Sequence, residues 1–314
     1  MKFRMMFISF IFITQFAFGG VQPIDLTREV VQIVDQKIDE VNDEFSYIVH
    51  NLDFRIDSED LMPGARSGWI NGVPTIIFTS SLLDVVFYTS ELSTLTMFDS
   101  KWNNCLLEYS AYLGSSYMDM MTQREENVQL SPLIPPEKFG NACEGIERYY
   151  PFSGNAKVIR DQSAKDSIAF IYLHELSHLF YRHSGFNTKN MSDSQKQTAN
   201  CIMRKQEKDA DILAARKLVK FDWARSALDV TVWLVMFNTG VIETSRNSTL
   251  NHPTAVERMS YTLDEIRSTL IISGGTVGRE LSDTIDEAEA LVKKVDRQLG
   301  AENSLDQDVL TCDD

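Results

Sequence analysis

Between Ser167 and Gly185 the chain reads SIAFIYLHELSHLFYRHSG, which sets His174, Glu175 and His178 in the order H-E-x-x-H. On an α-helix, residues four apart lie about 40° from each other around the axis. Both imidazoles then leave one face, one turn apart, and can hold one metal ion. Glu175 stands beside that ion rather than on it, where it can take a proton from a metal-bound water. The whole chain has only five histidines, so the pattern is improbable by composition alone.

Two histidines leave a catalytic zinc short of a ligand, because such a site wants three protein ligands and an open position. Glu207 is the best candidate for the third. Asp211, one turn further on, can accept a hydrogen bond from a ligand imidazole and fix its orientation. Arg204, Lys205, Lys208 and Asp209 crowd around this pair as they would on an ordinary solvated face. Small residues at Ala210, Ala214 and Ala215 favour close packing against the H-E-x-x-H helix.

The elements that must hold these groups follow from periodicity. Ile168, Ile171, Tyr172, Leu176, Leu179 and Phe180 recur at helical spacing, with Gly185 as the expected C-cap. Ser192-x-x-Gln195 is a capping-box pattern, opening a helix that runs to about Lys220 and carries Glu207 and Asp211. Upstream, the apolar stripe over Pro23 to Leu52 predicts one long helix. Asn71-Gly72 predicts a hairpin turn, Thr75 to Thr79 a strand, and Ser80 to Asp84 a helix start. Residues 85–160 are the least legible. Lys101 to Glu126 can be helical, and Ser131 to Pro136 reads as a loop. Further helices are expected over Phe221 to Thr239, from Pro253 onward, and over Gly278 to Leu299.

The first twenty residues differ from the rest. Lys2 and Arg4 precede an almost wholly apolar run from Met5 to Phe18, and Ala17-Phe18-Gly19 offers a cleavage site. The expectation is a signal peptide over residues 1–19, followed by a single domain over 20–314 with an insertion at about 85–160. The destination is secreted or periplasmic. No membrane span is expected in the mature chain. Acidic residues outnumber basic ones by 45 to 30, which argues against nucleic-acid binding. Four cysteines in an exported chain suggest two disulfides, for which Cys105–Cys143 and Cys201–Cys312 are the favoured pairs. No C-x-x-C occurs, so a cysteine-based zinc site is not expected.

Glu-x-x-Ala-Asp downstream of H-E-x-x-H resembles the gluzincin peptidases of metallopeptidase family forty-eight, the group of the CAAX prenyl proteases. His174 to His183 is similar to that family's extended helix with its extra histidine. Val73 to Asp84 resembles the edge strand beside its cleft, and His252-Pro253-Thr254-Ala255-Val256-Glu257-Arg258 its late His-Pro…Glu-Arg segment. The resemblance implies an α+β, mainly α-helical, zincin-like fold with a small β-hairpin or sheet at the cleft edge. It implies one zinc per chain on His174, His178 and Glu207, with Glu175 as general base and Asp211 in support. His252 would steady an oxyanion or cap the metal, and Arg258 would neutralise Glu207. His183 lies about 180° around the helix from His174, so it would not share the metal but make a structural hydrogen bond.

These readings converge on an exported zinc endopeptidase, its polypeptide substrate extended along Thr75 to Thr79, with a role in envelope protein quality control. Two alternatives stay open: a silent or self-capped zincin-fold binding factor, and a secreted effector protease with one target.

Overall fold

The structure, a computed structural model, describes residues 22–186, 191–221, 223, 253, 255–272, 285, 286, 289, 290 and 293. The expected signal peptide, His252 and the tail with Cys312 lie outside the described residues, as does nearly all of the Phe221–Thr239 and Gly278–Leu299 helices.

Helix α1 spans Pro23–Glu40 and buries Leu26, Val30, Val31, Val34 and Ile38 along one stripe. Proline opens it, where its missing N–H costs no helical hydrogen bond. The single helix expected to reach Leu52 stops here. Asn42 turns to a φ of 46° and Asp43 folds inward. The Asp43 carboxylate accepts from the Phe45 N–H at 3.1 Å, from Lys217 Nζ at 2.6 and 2.7 Å, and from Lys220 Nζ at 3.0 Å. A carboxylate is buried only with such partners, and these come from a distant helix. After a one-turn helix, α2 (Ser46–Val49), the chain forms β1 (Asp53–Asp57), a strand the periodicity did not single out.

Strands β2 (Ala65–Ile70) and β3 (Val73–Thr79) form the expected hairpin. Asn71 and Gly72 take φ values of 51° and 81°, the two positive values that a tight two-residue hairpin turn needs. The sheet order is β1-β3-β2, with β1 parallel and β2 antiparallel to β3. This corrects one expectation. Thr75–Thr79 is not an edge: β3 is the central strand, hydrogen-bonded on both sides, and cannot take up a substrate strand.

Helix α3 (Ser80–Phe98) follows β3 directly, with the Thr79 hydroxyl capping the Leu82 N–H. Its apolar residues serve two cores. Leu82, Leu83, Val86 and Phe87 join the main core with α1 and the sheet. Val85, Leu92 and Leu95 join a second core around Trp102, Tyr109 and the Cys105–Cys143 disulfide. Helix α4 (Asn103–Glu125) agrees with the helix read from sequence. The loop that follows ends one residue earlier than expected, since Pro136 opens the one-turn helix α5 (Pro136–Phe139). Cys201 is also disulfide-bonded; its expected partner, Cys312, is outside the described residues.

Helix α6 (Gly154–Tyr181) is the central element, packed by α1, α3, the sheet and α7. Its buried face runs from Ala164 to Leu179. Helix α7 (Asp193–Lys220) opens on a complete capping box, Ser192 with Gln195. Ala210, Ala214 and Ala215 are buried, as close packing of α7 requires. Helix α8 (Ala255–Ile272) lies against α7. The architecture is α+β and mainly helical, with one small sheet. No described helix is long and apolar enough to cross a membrane.

Candidate metal centre

Helix α6 places His174 and His178 one turn apart, with Nε2 atoms 3.0 Å from each other. Helix α7 brings Glu207 against both: Oε2 lies 3.5 Å from His174 Nε2, and Oε1 lies 3.4 Å from His178 Nε2. Two ring nitrogens and a carboxylate thus converge, and they are the one three-donor group that could hold a metal among the described residues. Donors on a tetrahedral ion with bonds of about 2.0–2.2 Å sit roughly 3.3–3.6 Å apart; both Glu207 contacts fall in that range, and the two imidazole nitrogens, at 3.0 Å, stand slightly closer. The chemistry of the donors agrees, because electron pairs converging at this range repel unless a cation or proton lies between them.

Each histidine is braced from behind. His174 Nδ1 lies 2.8 Å from Asp211 Oδ1, although its N–H does not point squarely at the oxygen. Asp211 is fully buried. Arg258 of α8 donates to both its oxygens, Nε to Oδ2 at 2.7 Å and Nη2 to Oδ1 at 2.6 Å, and the Tyr261 hydroxyl donates to Oδ2 at 2.7 Å. Burial alone would raise the Asp211 carboxyl, but the Arg258 guanidinium and His174 outweigh it and hold it well below the usual range. Burial opposes charge on His174 too, and there Asp211 prevails and raises the imidazole. His178 moves the other way, lowered by burial and by neighbouring His174.

Arg258 thus grips Asp211 with two hydrogen bonds, and its charge also acts on Glu207, the partner expected for it. Helix α8 lies alongside α7, with ion pairs at Arg204–Glu257 and Arg216–Glu265 on either side of Asp211. Tyr261 was not foreseen. Its only sequence signal is its position three residues after Arg258, on the same helical face.

Glu175 is buried beside the donors. Burial raises its carboxyl, while His174 and a hydrogen bond from Ser67 pull it down. Ser67 lies on β2 and was also missed, since a lone serine in a short strand carries no signal. Through it β2, the sheet edge, abuts the centre.

The end of α6 differs from expectation. Arg182, not Gly185, is the left-handed cap, with φ 54° and ψ 40°. The Arg182 N–H bonds the Leu179 carbonyl at 3.2 Å and the His183 N–H bonds the His178 carbonyl at 2.9 Å, the paired pattern of a Schellman turn. The turn folds His183 back, so its Nδ1 stands 3.0 Å from His178 Nδ1. The 180° separation holds only for a helix that continues. His50 is exposed and pairs with Asp39 at 3.1 Å.

Fold and site together define a mainly helical protein with a partly buried His-His-Glu centre and a carboxyl poised beside it. Residues 109–269 match the model of Peptidase U49, and the chain belongs to that peptidase family. The matched span contains all three donors with Glu175, Asp211, Arg258 and Tyr261. No curated protein and no solved structure matches the chain.

Proposed function

We propose that this protein is an exported zinc-dependent endopeptidase, as its likeness to metallopeptidase family forty-eight also suggests. The observation that carries the reading is the convergence of His174, His178 and Glu207 at 3.0–3.5 Å, with Glu175 buried next to them. Zinc held there would polarise the scissile carbonyl and acidify a water towards neutrality. Glu175 accepts the proton of the attacking water and delivers it to the leaving amine. Its raised carboxyl suits both halves of that task. Asp211 keeps His174 turned to the centre, and Arg258 with Tyr261 keeps Asp211 in place. His252 would complete the site as an oxyanion donor, in line with the family resemblance. The substrate is a polypeptide that pairs with β2, the edge strand at the centre, in place of Thr75–Thr79.

The test uses the zinc-loaded mature chain and a mixture of unfolded-protein peptides, with Glu175→Gln alongside. Cleavage by the wild type alone, with equal zinc content in both, is expected. Cleavage by Glu175→Gln would remove Glu175 from the mechanism. A chain that binds no zinc would end the reading.

A further inference from the structure

We propose that His183 is a positioning residue for His178. It selects the ring tautomer and orientation that turn His178 Nε2 toward the metal. The inference rests on reading His174, His178 and Glu207 as the metal centre.

The two ligand histidines are supported unequally. His174 has a carboxylate at its back, the usual partner of a ligand imidazole. His178 has instead another imidazole, His183, Nδ1 to Nδ1 at 3.0 Å. Such a contact is attractive only when one ring nitrogen carries a proton and the other does not. If His178 Nε2 is to keep its electron pair for a metal, the proton of the neutral ring must sit on Nδ1. His183 Nδ1 must then accept it and carry its own proton on Nε2. Neither ring alone makes this choice; the pair does.

His183 is also built into place. Its backbone N–H is fixed on the His178 carbonyl at 2.9 Å by the Schellman turn. Its ring stacks on Tyr181, with centroids 5.3 Å apart and planes at 24°. The intervening Arg182 lays its guanidinium over the Trp69 ring of β2, 5.0 Å from the centroid. The turn is therefore held on both sides, and the acceptor nitrogen cannot drift from His178.

The experiment compares the metal-free wild type with His183→Ala and His183→Asn, measuring zinc affinity by competition with a chromophoric chelator. His183→Ala should bind zinc about 10–100-fold more weakly, the range found when the hydrogen-bond partner of a ligand is lost. His183→Asn should recover most of it, since its Oδ1 sits near where Nδ1 was and can accept the same proton. Nitrogen NMR of the zinc-loaded wild type should show the proton of His178 on Nδ1 and that of His183 on Nε2, and a His183 proton on Nδ1 would overturn the pairing. Equal affinity in all three chains, with zinc bound, would overturn the role of His183 and leave the metal centre standing. A loss in His183→Ala that His183→Asn does not restore would reduce His183 to a packing residue. If the alanine variant fails to fold, the asparagine variant and the NMR assignment still decide. A wild type that binds no zinc would remove the metal centre and this inference together.

Discussion

At the residue scale the centre depends on one buried charge. Asp211 has no access to water and is stabilised by Arg258, Tyr261 and His174. Removing a single partner leaves the others facing an incomplete network. A hydrogen bond to a buried charged group contributes about 1.5–3 kcal/mol. Tyr261→Phe should therefore lower stability by about that amount, measurable by urea unfolding of the metal-free chain, with a smaller effect on zinc affinity. Asp211→Asn should act chiefly on zinc, by about 10–100-fold in a chelator competition. The H-E-x-x-H pair was legible from helical spacing, and Glu207 from the small residues that follow it and the Glu-x-x-Ala-Asp resemblance. Arg258's partner was not legible. The two Arg258 hydrogen bonds go to Asp211 because of how α8 lies along α7, and nothing local to Arg258 encodes that. His183 shows the same limit, because an arginine in a left-handed cap gives no warning that the helix has ended.

The element scale shows where buried charge costs stability. Asp84 lies on the inner side of α3 and its carboxyl is raised to about 6 by burial alone. A raised acid favours the folded state below its unfolded value, near 3.8, and that contribution is lost as pH rises through about 6. Asp84→Asn cannot ionise and escapes the loss. It should melt at a higher temperature than wild type at pH 8, and the difference should vanish at pH 4. Packing between α6 and α7 offers a second test. Ala214 is fully buried where α7 packs on the core. Ala214→Leu should cost about 1–3 kcal/mol through overpacking, and should weaken zinc binding by moving Glu207 away from the two histidines. Local patterns announced the hairpin and the capping box, because their signals lie within a few residues. They misjudged the first helix, because the break after Glu40 is stabilised by Lys217, which no local pattern reveals.

Across the whole molecule, α3 joins two cores, and the second surrounds a buried disulfide. Cross-linking residues 38 apart is worth up to about 4 kcal/mol on the chain-entropy account. Cys105→Ala with Cys143→Ala should lower the melting temperature while zinc affinity stays within about twofold of wild type, since all the metal donors belong to α6 and α7. Zinc loss in that double variant would show that the second core helps hold the centre. The proposed export carries its own check: mass spectrometry of the exported chain should find an N-terminus at Gly20.

The order of the parts along the chain has a consequence for synthesis. The donors appear at residues 174, 178 and 207, but the groups that fix Asp211 appear only at residues 258 and 261. Chains are made N-terminus first, and their parts fold as they emerge. Over the roughly fifty residues between Glu207 and Arg258, a growing chain holds all three donors but not yet the groups that brace Asp211. The centre therefore exists as a set of donors before it exists as a fixed geometry, and the brace on Asp211 is the last of these parts to be made.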